Sequence, residues 1–243
     1  ALRLADIEHQ DPRRSMTIAY RNTPPTPNTI NTNNTPWIPI STYAFHNPLR
    51  EGIPEMMTRL QEDHRMMPSI LTGDGAEAAE YVALECGFPP TLHRIHSGSE
   101  FDLATLDGEP PLVPLTLSIE GKYIEELLTT TNDTKLEQLL RLPYPKVIYR
   151  AKSSLKGEIV THLPPNNMYV GDAMNDATAI ERATVGVSLR HGAVKCRREA
   201  SIIVTSPMDL VGLLERNGYG DQLYVGGHKL LLDICRVGGL TAG

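Results

Sequence analysis

The sequence is short of the features that sort proteins quickly. No apolar run approaches the about 18 residues needed to cross a bilayer, and no signal-like segment opens it, so no transmembrane segment is expected within these residues. Cysteine is scarce. Cys86, Cys196 and Cys235 stand far apart without any CxxC spacing, which argues against a disulfide framework or a zinc site and fits a reducing, cytosolic setting. Basic runs are lacking too: none exceeds the short Lys195, Arg197, Arg198 cluster, which reads as a solvated helix face. With a formal net charge of −6, that leaves no footprint for a nucleic-acid partner. The first residue is Ala and not Met, which reads as a trimmed or processed chain.

What is present is a globular composition, 40% hydrophobic over 243 residues, enough for one large domain or two small ones. Residues 21–41 are dominated by Asn, Thr and Pro and read as a loop or linker within an irregular segment 1–46. Residues 47–216 then alternate short apolar runs with amphipathic stretches, and 217–243 form a tail. Helices are expected over 54–62, 76–86, 125–142, 175–183 and 208–216, and strands over 69–71, 146–149, 168–170, 185–189 and 201–205. This order implies an open α/β parallel sheet wrapped by helices, with ligands at the carboxyl ends of the strands.

Three stretches fall at that edge. In "ILTGDG" (residues 70–75) an apolar strand runs into Thr72, Gly73 and Asp74 before a helix. A hydroxyl and free backbone N–H groups at a helix start suit a phosphate, although Thr72 or Asp74 acting as a plain helix cap suits the residues as well. In "VIYRAKSSLKGEIV" (147–160) Lys156 lies one turn into a helix, where a lysine can neutralise a phosphoryl oxygen or simply be solvated. In "NMYVGDAMNDATAIERATVGVSL" (167–189) Asp172 follows a strand and Asn175 and Asp176 open the next helix. Magnesium takes oxygen ligands, one or two carboxylates with phosphate and water, while ordinary N-terminal caps use the same residue types. Hydroxyl, cation and carboxylates recur at three successive strand-to-helix junctions, which is the set that Mg²⁺-assisted phosphoryl transfer needs.

"NPLREGIPEMMTRLQ", "ILTGDGAEAAEYVALECGF", "RAKSSLKGEIV" and "VGDAMNDATAIERATVGVSL", in that order, resemble the phosphorylation domain of P-type ATPases, in the haloacid dehalogenase superfamily. The resemblance implies a three-layer, Rossmann-like haloacid dehalogenase-like fold and Mg²⁺-dependent phosphoryl transfer and hydrolysis coupled to transport. ATP would serve in a parent protein, with membrane and nucleotide-binding domains as partners, at the cytosolic face of a membrane. Thr72 would bind the phosphoryl group with Gly73 and Asp74, Lys156 would stabilise it, and Asp172 and Asp176, with Asn175 beside the phosphate, would form the magnesium corner. "SGSEFDLATLDG" is similar to cation pumps and "SIEGKYIEELL" to lipid flippases, so the cargo stays open.

The departures carry equal weight. The family's nucleophile stands in an Asp-Lys-Thr-Gly-Thr stretch, which these 243 residues do not contain. Asn47 stands for the hinge aspartate, Ser153 for the proline before the lysine, and Ala173 for the second glycine of Gly-Asp-Gly. Two further readings follow: a haloacid dehalogenase-like pseudoenzyme with a binding or regulatory role, and a stand-alone Mg²⁺-dependent phosphatase using Asp6.

Overall fold

The computed structural model of the chain describes residues 15–20, 37–44, 48–64, 66–98, 114–130 and 133–216. Asp6, Asn47, most of the Asn/Thr/Pro stretch, the greater part of "SGSEFDLATLDG", Cys235 and the 217–243 tail lie outside them. Packing divides the chain into two units, Ala1–Leu49 and Arg50–Gly243.

In the first unit, β1 (Ser15–Tyr20) and β2 (Ile38–Ala44) pair antiparallel, with the register shifting between Ile18 and Ala19. Here the loop expected over 21–41 is corrected at its end, since Ile38 to Ser41 belong to β2. Ile38 and Tyr43 face Tyr20 and Met16, and the Thr17 and Thr42 hydroxyls meet at 3.0 Å. Such cross-strand pairs outweigh the breaking tendency of Pro39, which a two-stranded ribbon tolerates on its free edge.

The second unit holds two parallel sheets and eight α-helices among the described residues. One sheet has the order β3 (Ser69–Leu71), β6 (Lys146–Tyr149), β5 (Leu115–Glu120), β4 (Thr91–Ile95). The other runs β7 (Met168–Gly171), β8 (Val185–Leu189), β9 (Ile202–Val204). The helices are α1 (Ile53–Glu62), α2 (Ala76–Glu85), α3 (Gly121–Thr129), α4 (Asp133–Arg141), α5 (Ser153–His162), α6 (Ala177–Arg182), α7 (Val194–Glu199) and α8 (Asp209–Arg216). The fold is α/β, parallel sheets flanked by helices, as the alternation of apolar runs implied.

Three expectations are corrected within it. The single open sheet is two hydrogen-bonded sheets, and β4 and β5 were not foreseen. The helix expected over 125–142 is two, because the Thr130 hydroxyl turns back onto the Glu126 and Leu127 carbonyls and draws the backbone out of the helix. The helix expected from Asn175 starts as a 3₁₀ turn, Met174–Asp176, before α6.

The main core gathers Ile95, Leu117, Ile119, Ile124, Leu139 and Ile148 from β4, β5, α3, α4 and β6, with Leu155 and Ile159 from α5. Strands β6 and β8 are buried along their whole length because helices cover both faces of a central parallel strand. That rule catches Lys146, which opens β6 at 2% exposure. Its Nζ donates to the Leu142 and Tyr144 carbonyls at 2.6 and 2.9 Å, and burial lowers its pKa from 10.5 to about 8.

Candidate functional site

Strand β3 ends at Leu71, and the Thr72–Asp74 turn is tied to the end of β6 by three backbone hydrogen bonds. The Thr72 amide donates to Ile148 O at 2.9 Å and its carbonyl accepts from Ala151 N at 2.9 Å, while Arg150 N donates to Asp74 O at 2.8 Å. The Thr72 hydroxyl donates to Asp74 Oδ2 at 3.1 Å and accepts from the Asp74 amide at 3.2 Å. The residue at the cap position of α2 is Gly75, which has no side chain to cap with. Arg150 itself has φ 52°, a left-handed conformation that a branched-free but bulky side chain adopts at a cost of about 1–3 kcal/mol and that clusters at functional edges. Its guanidinium reaches Glu120 Oε1 at 3.3 Å, at the end of β5.

Lys156 stands one turn into α5, as its position after the strand implied, and its side chain is 6% exposed. It donates to Asp176 Oδ1 at 2.8 Å. Asp176 is the most engaged carboxylate of the edge. Its Oδ1 also accepts from the Tyr169 hydroxyl at 2.9 Å, and its Oδ2 accepts from the Ala173 amide at 3.2 Å, closing the 3₁₀ turn. The helix-cap role and the role toward the lysine are thus held by two oxygens of one side chain. Burial raises the Tyr169 pKa, with the Asp176 charge adding to it, so the phenol stays a donor. Gly171 makes room for this: a methyl group there would stand 2.6 Å from Asp176 Cβ.

Asp172 is different. It follows β7 directly, is 39% exposed, and meets Arg50 Nη2 through Oδ2 at 3.0 Å. Arg50 Nη2 also lies 3.4 Å from His191 Nε2. Ala173 has φ −92° and ψ 153°, an extended backbone that carries a methyl group without strain, so its replacement of glycine costs nothing there. Asn175 is exposed, and its carbonyl accepts from the Ser153 hydroxyl at 3.1 Å. The structure therefore brings Lys156 and Asp176 into contact, sets Asn175 and Asp172 on the same β7–α6 turn, and joins Thr72 and Asp74 to the β6 end from which α5 departs.

Sequence reasoning missed Tyr169, Arg50 and Arg150. Arg50 and Arg150 lie within the quoted blocks, but only the fold gives them partners. Among the described residues no three His, Cys, Asp or Glu side chains converge on a metal position. Magnesium does not demand that many, since it keeps waters and uses one or two carboxylates. The hard oxygens of Asp172, 39% exposed at the end of β7, fit that ion.

No family profile matches the chain. It is similar to plasma membrane calcium-transporting ATPase 1 of Mus musculus, 23% identical over 226 residues, a match covering 87% of this chain and 17% of that protein. It is likewise 23% identical over 227 residues to plasma membrane calcium-transporting ATPase 4 of Homo sapiens, covering 88% of this chain and 16% of that one. A third relative, calcium-transporting ATPase 8, plasma membrane-type, of Arabidopsis thaliana, is 22% identical over 192 residues, covering 77% and 16%. All three are calcium-transporting ATPases. The likeness supports the relationship to P-type ATPases that the four sequence blocks imply, and the chain spans about a sixth of the length of these relatives, 17% in the first. No helix among the described residues is long and apolar enough to cross a membrane.

Proposed function

We propose that this chain is the carboxy-terminal part of a P-type ATPase phosphorylation domain, with haloacid dehalogenase-like chemistry, in a parent protein that couples Mg²⁺-dependent phosphoryl transfer and hydrolysis to transport. The observation that carries this reading is the buried Lys156–Asp176 pair at 2.8 Å, which joins two of the three strand-to-helix junctions singled out by residue type. In it Asp176 holds the ammonium of Lys156 in one place, through an acceptor that Tyr169 and Ala173 also fix. A pre-oriented cation stabilises charge on a phosphoryl group without reorganising as that charge develops. In this reading the Thr72 hydroxyl and the Asp74 amide, which bond each other in the structure, would turn with the Gly73 amide to cradle the same group, and the Asn175 amide would donate to it.

Asp172 and Asp176 form the proposed magnesium corner, with Asp172 offering the exchangeable oxygens and Asp176 acting largely through Lys156. The ion would supply charge neutralisation at the phosphoryl oxygens. The carboxylate that takes the phosphoryl group, and the ATP that delivers it, belong in this reading to other parts of the parent protein, with its membrane and nucleotide-binding domains as partners at the cytosolic face. That the chain's relatives are calcium-transporting ATPases favours a cation over a lipid as cargo.

A second reading, a pseudoenzyme that binds without turnover, rests on the departures from the resembled family at Asn47 and Ser153. Calorimetric titration with Mg²⁺ tests the site common to both. Weak binding is expected, lowered markedly by Asp172→Asn and unchanged by Asp133→Asn, which alters an exposed residue at the start of α4. Equal binding in the two variants removes the metal corner.

A further inference from the structure

Asp172 and Asp176 are both acids on one turn, yet their surroundings differ in kind. Asp176 is buried and meets three donors. Asp172 is partly exposed, and Arg50 is the one cation that pairs with it among the described residues. The guanidinium is 52% exposed and comes from the turn that opens α1, where the Arg50 carbonyl accepts from Ile53 N at 3.2 Å. On the other side the backbone of Asp172 is clamped. Its carbonyl accepts from Ala193 N at 2.7 Å, and a methyl group at Gly192 would come within 3.1 Å of its Cα. The carboxylate therefore cannot move away from Arg50 with its backbone; separation falls to the guanidinium, which also meets His191 Nε2 at 3.4 Å, a contact it can keep or leave as it swings.

We propose that Arg50 is an intramolecular counter-cation for Asp172, so that the Arg50–Asp172 pair and a divalent cation on Asp172 exclude each other. This rests on the reading of Asp172 as a metal ligand. A magnesium ion binds a carboxylate oxygen at about 2.1 Å, and at that distance from Oδ2 it would stand within a few ångströms of the guanidinium, where like charges repel. Arg50 neutralises the acid while no metal is bound, and its own exposure keeps the pair weak enough to be displaced. A solvent-exposed pair of this kind lowers the metal affinity by no more than about 5-fold, because it is worth at most about a factor of that size itself.

The test is calorimetric titration of the full chain with Mg²⁺ alone, and with Mn²⁺ alone as a tighter-binding probe. Arg50→Gln is expected to tighten binding about 2- to 5-fold, and the gain is expected to vanish in the Asp172→Asn background. Arg59→Gln removes the same charge from a side chain paired with Glu215 and is expected to leave the affinity unchanged. Tightening by Arg59→Gln equal to that by Arg50→Gln would mean bulk charge and overturns the proposal, as does unchanged or weaker binding in Arg50→Gln. If Asp172→Asn itself leaves binding untouched, the metal-ligand reading fails first. A measurement without any variant guards against misfolding: on saturation with Mg²⁺, the Arg50 guanidinium resonance should shift to the value of a free arginine side chain with the midpoint of metal binding. A resonance that stays fixed overturns the exclusion.

Discussion

Asp176 and Asp172 lie four residues apart and obey different electrostatics. Removing one partner of a buried ion pair leaves the other uncompensated, so Asp176→Ala, which strands the 6%-exposed Lys156, is expected to cost about 3–5 kcal/mol in urea unfolding. The exposed Arg50–Asp172 pair is worth about 1 kcal/mol or less, and Arg50→Gln should barely move the same curve. A smaller loss in Asp176→Ala than in Arg50→Gln would contradict the burial on which the lysine's placement depends. At this scale the places of Thr72, Lys156, Asp172 and Asp176 after strand ends were legible in the sequence, while their roles are the proposal above. Arg50 was not, because its partner is 122 residues away and nothing local marks it. Nor was the division of labour between the two aspartates, since sequence carries no burial.

Elements were legible where periodicity was long or turn chemistry local. Ser69–Leu71, Lys146–Tyr149 and Val185–Leu189 are found where they were expected. Thr91–Ile95 was not foreseen: His93 and Arg94 interrupt its apolar run, and only pairing with β5 makes it a strand. The start of β6 yields a pH prediction. Lys146 titrates at about 8 in the fold against 10.5 unfolded, because burial penalises its charge. Below pH 8 both states hold the proton and the penalty is fully present. Between 8 and 10.5 the unfolded chain binds more protons, so stability rises with pH, by about 3 kcal/mol from this group. Urea unfolding of the natural chain and of Lys146→Met at pH 7.5 and 10.5 isolates it, and the difference between them should move toward the natural chain at the higher pH. A difference independent of pH would show the ammonium to be hydrated.

Across the whole molecule, β6, β5 and β8 pair on both sides, while β3 and β7 each pair on one side and are only partly buried. Hydrogen exchange should accordingly be slowest at Val147, Ile148 and Val187 and faster at Ile70 and Val170. Exchange at Val170 as slow as at Val187 would mean that β7 has a partner on its outer side. The sequence by itself determined the α/β class, the three strand-to-polar-turn-to-helix junctions and the likeness to P-type ATPases, because each of these is written in residue type and local period. Only the tertiary structure decided that the strands form two sheets, that Lys156 reaches Asp176, and that Arg50 rather than a neighbour in sequence pairs with Asp172. Those are contacts across 20 and 122 residues, set by how strands order and helices cross, and no local pattern encodes them.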